Sequence, residues 1–153
     1  MTDIVDQKTR SLMMARIRGK DTRPELALRC ALHARGLRFR LHADNVPGKP
    51  DLVLPKYRAV VFVHGCFWHR HADCRYTTTP ATRTDFWEAK FAANMVRDRL
   101  VQSGLRTAGW RVATVWECAL RRPGHVESAA NHLSAWLSSG SAEIVIGEKD
   151  VIS

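Results

Sequence analysis

The run Ala59-Val60-Val61-Phe62-Val63 is the strongest constraint this chain places on its own fold. Consecutive apolar residues, mostly β-branched or aromatic, suit an extended strand better than a helix. The lack of alternation means that both strand faces seek cover, so the run predicts a buried strand over 58–64. "DLVL" at 51–54 reads as a strand and "PKY" as a turn, which makes the pair a β-hairpin. "WRVATVWE" at 110–117 predicts a third core strand. "LRFRLH" at 37–42 alternates apolar and basic residues like a half-buried strand, and "EIVI" near the C-terminus reads as an edge strand.

Helices supply the cover. Thr22 followed by Glu25 is a capping box, with Pro24 in the first turn where its missing N–H costs nothing. The helix that follows carries Leu26, Cys30 and His33 on one stripe, beside Leu28 and Leu32, and Gly36 ends it. A long helix is expected from about Asp85 to Gly104, after the loop "TTTPATRT". Phe86, Lys90, Ala93, Arg97 and Val101 trace one side of it, and Phe91, Met95 and Leu100 another. A C-terminal helix is expected over 125–139 with Leu133, Trp136 and Leu137 facing inward, and a short one over Arg10–Arg18. The order predicts an α/β fold, a central mixed β-sheet flanked by helices. At 153 residues the chain is one domain. It divides into a basic N-terminal arm (1–20), the folded unit (21–140) and a C-terminal tail (141–153).

Lys and Arg total 24 against 15 Asp and Glu, giving a net charge of +9. A small domain this basic points to a polyanionic partner, nucleic acid first. No apolar run approaches the ~18 residues of a membrane span, and the acidic, polar start is not a secretory signal. The expected setting is the cytoplasm or nucleoid. In that setting the four cysteines suit a metal better than disulfides.

The segment "HGCFWHRHADC", His64 to Cys74, concentrates the chemistry. His71 and Cys74 form an H-x-x-C pair in a polar loop. Cys118, at the end of the third strand, can join them, and Asp44 can add an oxygen, making a four-ligand structural zinc site. The alternative is that these thiols are simply buried; Cys66 and Cys30 read as core residues. Asp51, after Pro50, opens one strand of the hairpin, and Val63–His64 closes the other. A carboxylate and the Val63 carbonyl at one strand end suit Mg²⁺, which acidifies water and neutralises phosphate charge. His64 and His69 flank that place and can take a proton at neutral pH. Glu25 can cap its helix and also touch the site through water. Phe67 and Trp68, in an otherwise polar loop, together with Trp87 and Met14, are candidate apolar wedges for DNA, though each also suits a core.

"TRSLMMARIRGKDTRPE", "PGKPDLVLPKYRAVVFVHGCFWHRH", "PATRTDFWEAKFAANMVRDR" and "GWRVATVWECAL" closely resemble the very-short-patch-repair (Vsr) DNA mismatch endonucleases, over about residues 8 to 137. That family belongs to the restriction-endonuclease-like superfamily. Pro50-Asp51 matches the first half of its PD…(D/E)xK signature, and "FVH" replaces the second half. The resemblance implies an endonuclease domain that makes a Mg²⁺-dependent nick 5′ to the thymine of a T·G mismatch left by 5-methylcytosine deamination. It implies that Asp51 and the Val63 carbonyl bind Mg²⁺, that His69 is the general base, and that His64 and Glu25 support the phosphate and hydrated metal. His71, Cys74 and Cys118 would hold zinc, with Asp44 as the acid nearest the expected fourth position. Phe67, Trp68 and Trp87 would intercalate beside the mismatch, with Met14 entering from the other groove. The expected partner is double-stranded DNA with a T·G mismatch, bound by a monomer. Two rivals stand beside this reading: a related endonuclease of other DNA specificity, and a zinc-stabilised DNA-binding module without catalysis.

Overall fold

The computed structural model describes residues 22–41, 43 and 45–152. The helix expected over Arg10–Arg18, and with it Met14 and Asp44, lies outside the described residues. A five-stranded mixed sheet runs in chain order: β1 (Arg40–Leu41), β2 (Leu52–Leu54), β3 (Ala59–His64), β4 (Arg111–Trp116) and β5 (Glu143–Ile146). The first three strands are antiparallel neighbours, and β3, β4 and β5 are parallel. The connections dictate that change. Pro55–Tyr57 forms a 3-10 turn, with Arg58 in the left-handed region at φ 49°, and folds β2 back on β3. The links from β3 to β4 and from β4 to β5 contain α2 (Thr84–Thr107) and α3 (Pro123–Leu137), long enough for parallel crossovers. Helix α1 (Arg23–Ala34) precedes the sheet, and one-turn α4 (Glu148–Val151) closes the chain.

Both faces of β3 are covered, as its unbroken apolar run requires. Ala59 and Val61 join Leu52, Leu54, Ala113, Val115 and Ile146 under α1 and α3. Val60 and Phe62 join Val53 and Val112 under Leu105 and Val101 of α2. By the same alternation His64 belongs to the α2 face.

Thr22 caps α1, its hydroxyl accepting from the Glu25 N–H at 3.4 Å, and Gly36 takes φ +81° just past the helix end. The buried stripe is Glu25, Leu28, Arg29, Ala31 and Leu32. The expected stripe through Leu26, Cys30 and His33 is corrected: all three are exposed. The core lies one helical step away, where Leu28 and Leu32 meet α3 and the sheet.

The α2 faces are corrected too. Phe91 and Leu105 are buried, whereas Met95 and Leu100 are exposed. The C-terminal half of α2 covers the sheet, while its first turns meet the loop after β3, so no single stripe is buried along its length. In α3, Leu133, Trp136 and Leu137 are buried as expected. Residues set apart as a tail supply β5 and α4, and Val151 enters the core. No helix among the described residues is long and apolar enough to cross a membrane.

Candidate active site and metal centre

One end of the sheet gathers Asp51, His64 and His69 together with Cys66, His71, Cys74 and Cys118. Because β2 and β3 are antiparallel, the start of β2 and the end of β3 lie at the same end. In the parallel part, His64 pairs with Trp116 and Val115 with Ile146. The loop after β3, the 3-10 turn Glu117–Leu120 after β4 and α4 after β5 therefore emerge side by side. Open α/β sheets bind ligands at this end, beyond the carboxyl ends of their parallel strands.

Asp51 sits on the α2 side of that end. One carboxylate oxygen accepts the Val63 N–H at 2.6 Å, so the hairpin brings Asp51 and Val63 together. A cavity of about 200 Å³ opens there, lined by Lys49, Asp51, His64, His69, Arg97 and Asp98 among others. Burial pushes the Asp51 carboxyl up from 3.8 to about 6, against the opposing pull of the Val63 N–H, Arg29 and His69. The influence of Arg29 brings α1 to the site, since its guanidinium also donates to buried Glu25 at 3.3 Å. Glu25 thus stands behind Asp51 through Arg29 and does not line the cavity.

The imidazoles of His64 and His69 stack in parallel, 3.9 Å between centroids and 6° between planes. Burial first, and His69 second, push the His64 pKa down from 6.5 to about 4, so this ring is neutral at physiological pH. His69 Nδ1 lies 2.6 Å from the Asp98 carboxylate on α2. That contact assigns the Nδ1–H tautomer and leaves Nε2 as the basic nitrogen. Asp98 was not singled out from sequence, where it is one acid in a basic helix.

Across Trp116 lies the second cluster. The Trp116 ring meets His64 edge-on at 5.4 Å and stacks on His71 at 4.2 Å, so it forms the wall between the two sites. Beyond it Cys66, His71, Cys74 and Cys118 bring one ligand atom each within 4.8 Å of one another. His71 Nδ1 is 3.7 Å from Cys66 Sγ and 3.5 Å from Cys118 Sγ. Tetrahedral zinc with Zn–S ≈ 2.3 Å and Zn–N ≈ 2.0–2.1 Å has ligand–ligand edges of about 3.5–3.8 Å, so the side chains present fit the ion. The His71 pKa is lowered by burial, which favours the neutral ligand form. Burial raises the thiols of Cys66 and Cys118. Burial also acts to raise Cys74, but hydrogen bonding by the Tyr76 N–H and neighbouring groups brings it down. Among the described residues the fourth side chain of this cluster is Cys66, read from sequence as core. It is buried and a candidate ligand at once, and its spacing to His71 and Cys74 was the available signal. Cys30, also read as core, is exposed on α1. The C-terminal segment borders the cluster: the Glu148 N–H donates to Cys118 Sγ at 3.3 Å, and Arg75 pairs with Glu148.

The aromatic residues form a third group. Phe67 packs edge-on against Trp68, Trp87 and Phe91, at 5.0, 6.0 and 5.2 Å. Trp68 and Phe86 are 43% and 47% exposed, more than a core would leave open. Arg83 lies over Phe86 and Lys90 over Trp68, so the apolar plate has a cationic rim.

The family model described as "DNA mismatch endonuclease Vsr" matches residues 2–76. The chain is 46% identical over 133 residues to "Type II nicking enzyme V.XorIIP" of Xanthomonas oryzae pv. oryzae, covering 87% of this chain and 97% of that protein. It is 42% identical over 153 residues to "DNA mismatch endonuclease Vsr" of Escherichia coli K12, covering 99% of this chain and 97% of that relative. A nicking enzyme of Neisseria meningitidis, V.NmeAIP, is 41% identical over 133 residues, which is 87% of this chain and 94% of that enzyme.

Proposed function

Since this chain belongs to the Vsr family of DNA mismatch endonucleases, we propose that it nicks one strand of duplex DNA 5′ to the thymine of a T·G mismatch, using Mg²⁺. It is a phosphodiester-hydrolysing DNA endonuclease with a restriction-endonuclease-like α/β fold; the mismatch, the metals and the residue roles below are our reading. The observation that carries it is the convergence of Asp51 with the His64–His69–Asp98 group in one cavity on a chain of net charge +9.

In this reading Asp51 and the Val63 carbonyl hold Mg²⁺. The ion supplies charge neutralisation at the scissile phosphate and a more acidic water. A single buried carboxyl beside a small polar cavity fits such an ion, which keeps most of its own waters. His69 takes the proton of the attacking water at Nε2, and Asp98, bonded to Nδ1, orients the ring and steadies it once charged. His64, neutral and stacked on His69, fixes the plane of that ring. Glu25 and Arg29 support Asp51 from α1. Lys49 and Arg97 place positive charge beside the phosphate.

Zinc, held by Cys66, His71, Cys74 and Cys118, has a structural role: four protein ligands leave no position for water. Phe67, Trp68 and Trp87 wedge between base steps, and the surrounding cations meet the phosphates. Met14 remains a candidate wedge from the N-terminal arm (1–20). The endonuclease domain acts as a monomer on cytoplasmic, nucleoid-associated DNA.

The test is nicking of a set of T·G duplexes and their matched counterparts with Mg²⁺, by wild type and Asp51→Ala. Nicking of T·G only, lost in Asp51→Ala, is the expected result. Equal cleavage by both proteins, or none by either across all flanking sequences, overturns the reading. Tight, salt-sensitive binding without cleavage would mark a DNA-binding module instead.

A further inference from the structure

His69, Arg70 and His71 are consecutive, yet their side chains enter three different groups. His69 goes to Asp98 and the catalytic cavity. His71 goes to the cysteine cluster. Arg70 goes between them to the aromatic plate. The backbone makes this possible by placing Arg70 in the left-handed region, at φ 54°. A side-chain-bearing residue rarely adopts that conformation unless its surroundings hold it there. The neighbouring amides are fixed: the His69 N–H donates to Gly65 O and the His71 N–H to Cys66 O, both at 3.1 Å.

The Arg70 guanidinium uses its face and its edge at once. Its face lies 4.0 Å over the Phe91 ring and 5.7 Å from Phe67. From its edge, one nitrogen donates to the carbonyls of Phe67 and Thr78, at 3.2 and 2.8 Å, and the other to the Thr79 hydroxyl at 2.8 Å. These contacts join the Phe67–Trp68 turn, the loop before α2 and α2 itself. A planar fork can stack and donate in several directions together; a lysine ammonium cannot.

We infer that Arg70 is a positioning residue for substrate distortion: its guanidinium holds Phe67 and Trp68 at the angle from which they open the DNA, in register with the base His69 one residue before it. The inference rests on the wedge role given above to Phe67 and Trp68. Holding the wedge rigid lowers the ordering cost of driving it between base steps of the duplex already bound through its phosphates. It also keeps reacting groups aligned, and a misplacement of about 1 Å can cost roughly 10²-fold in rate.

The experiment uses a T·G duplex with 2-aminopurine beside the mismatch, whose fluorescence rises when that base unstacks. Wild type, Arg70→Lys, Arg70→Ala, Phe67→Ala and Trp68→Ala are compared at saturating protein, with single-turnover nicking, bound zinc and duplex affinity measured alongside. Arg70→Lys is expected to lose most of the fluorescence rise and roughly tenfold or more of the nicking rate, with zinc and affinity within about twofold of wild type, and Arg70→Ala to lose more. If Arg70→Lys retains both the rise and the rate, the planar fork is not needed and the inference falls. It falls as well if the Arg70 variants lose their zinc in parallel with the rate, because Arg70 then serves the metal loop. If Phe67→Ala and Trp68→Ala both leave the rise intact, the wedge reading itself fails and takes this inference with it.

Discussion

Replacing Asp51 with Asn should abolish nicking and, at neutral pH without added Mg²⁺, stabilise the fold. Burial raises the Asp51 carboxyl from 3.8 to about 6, so folding opposes its ionisation. At about 1.4 kcal/mol for each pH unit, the rise from 3.8 to about 6 corresponds to about 3 kcal/mol of native-state stability forgone above pH 6. Asp51 keeps part of its surface on the cavity, and the amide must itself be buried, so an observed gain of about 1–3 kcal/mol is expected for Asp51→Asn. The new side chain still offers an oxygen to the Val63 N–H. The sign fixes the pH window. Between 3.8 and about 6 the folded wild type binds more protons than the unfolded chain, so its stability falls as pH rises through that range. The advantage of the variant is therefore complete above about pH 6 and vanishes near pH 4. Urea unfolding of both proteins at pH 7.5 and pH 4.5 reads it directly, because m-values should match and midpoints diverge only at the higher pH. A variant that is destabilised at both pH values refutes the reasoning, since desolvation would then not be the dominant influence on this carboxyl. Adding Mg²⁺ should raise the stability of wild type and not of the variant.

Asp98→Asn should lower the single-turnover nicking rate by roughly 10²-fold or more, within the range that a positioned proton-transfer group supplies, while leaving DNA affinity nearly unchanged in a binding titration. Wild type should carry one zinc per chain by elemental analysis, and Cys66→Ser should hold much less, with a lower thermal midpoint; full retention would remove Cys66 from the ligand set. Gly48 has φ +82°, and an added Cβ would lie 2.2 Å from Val101 Cγ1. Gly48→Ala should therefore cost about 1–3 kcal/mol in denaturant unfolding, and should impair nicking because Lys49 and Asp51 follow immediately.

Local pattern carried much of the fold and part of the site. The largely apolar runs named β2, β3 and β4, because a strand covered on both faces must be mostly apolar, with buried His64 and Thr114 as the polar exceptions. Thr22, Glu25 and Gly36 bounded α1, because helix ends need local partners for their free amides and carbonyls. Asp51, His64, His69, His71, Cys74 and Cys118 stood out because their side chains are chemically costly to place without a purpose. Asp98, Arg29 and Trp116 had no such signal. An acid, a cation and a tryptophan are ordinary on a helix or strand, and their roles arise only from what the fold brings beside them.

By itself, then, the sequence determined the elements, the basic surface and the inventory of reactive groups, since backbone propensity and side-chain chemistry are local properties. Tertiary structure decided the sorting. The parallel register of β3 with β4 set Trp116 between the histidine and cysteine groups. The course of α2 brought Asp98 to His69, and the left-handed turn at Arg70 sent three consecutive side chains to three sites. Each of these depends on distances between segments far apart in the chain, and only packing fixes those.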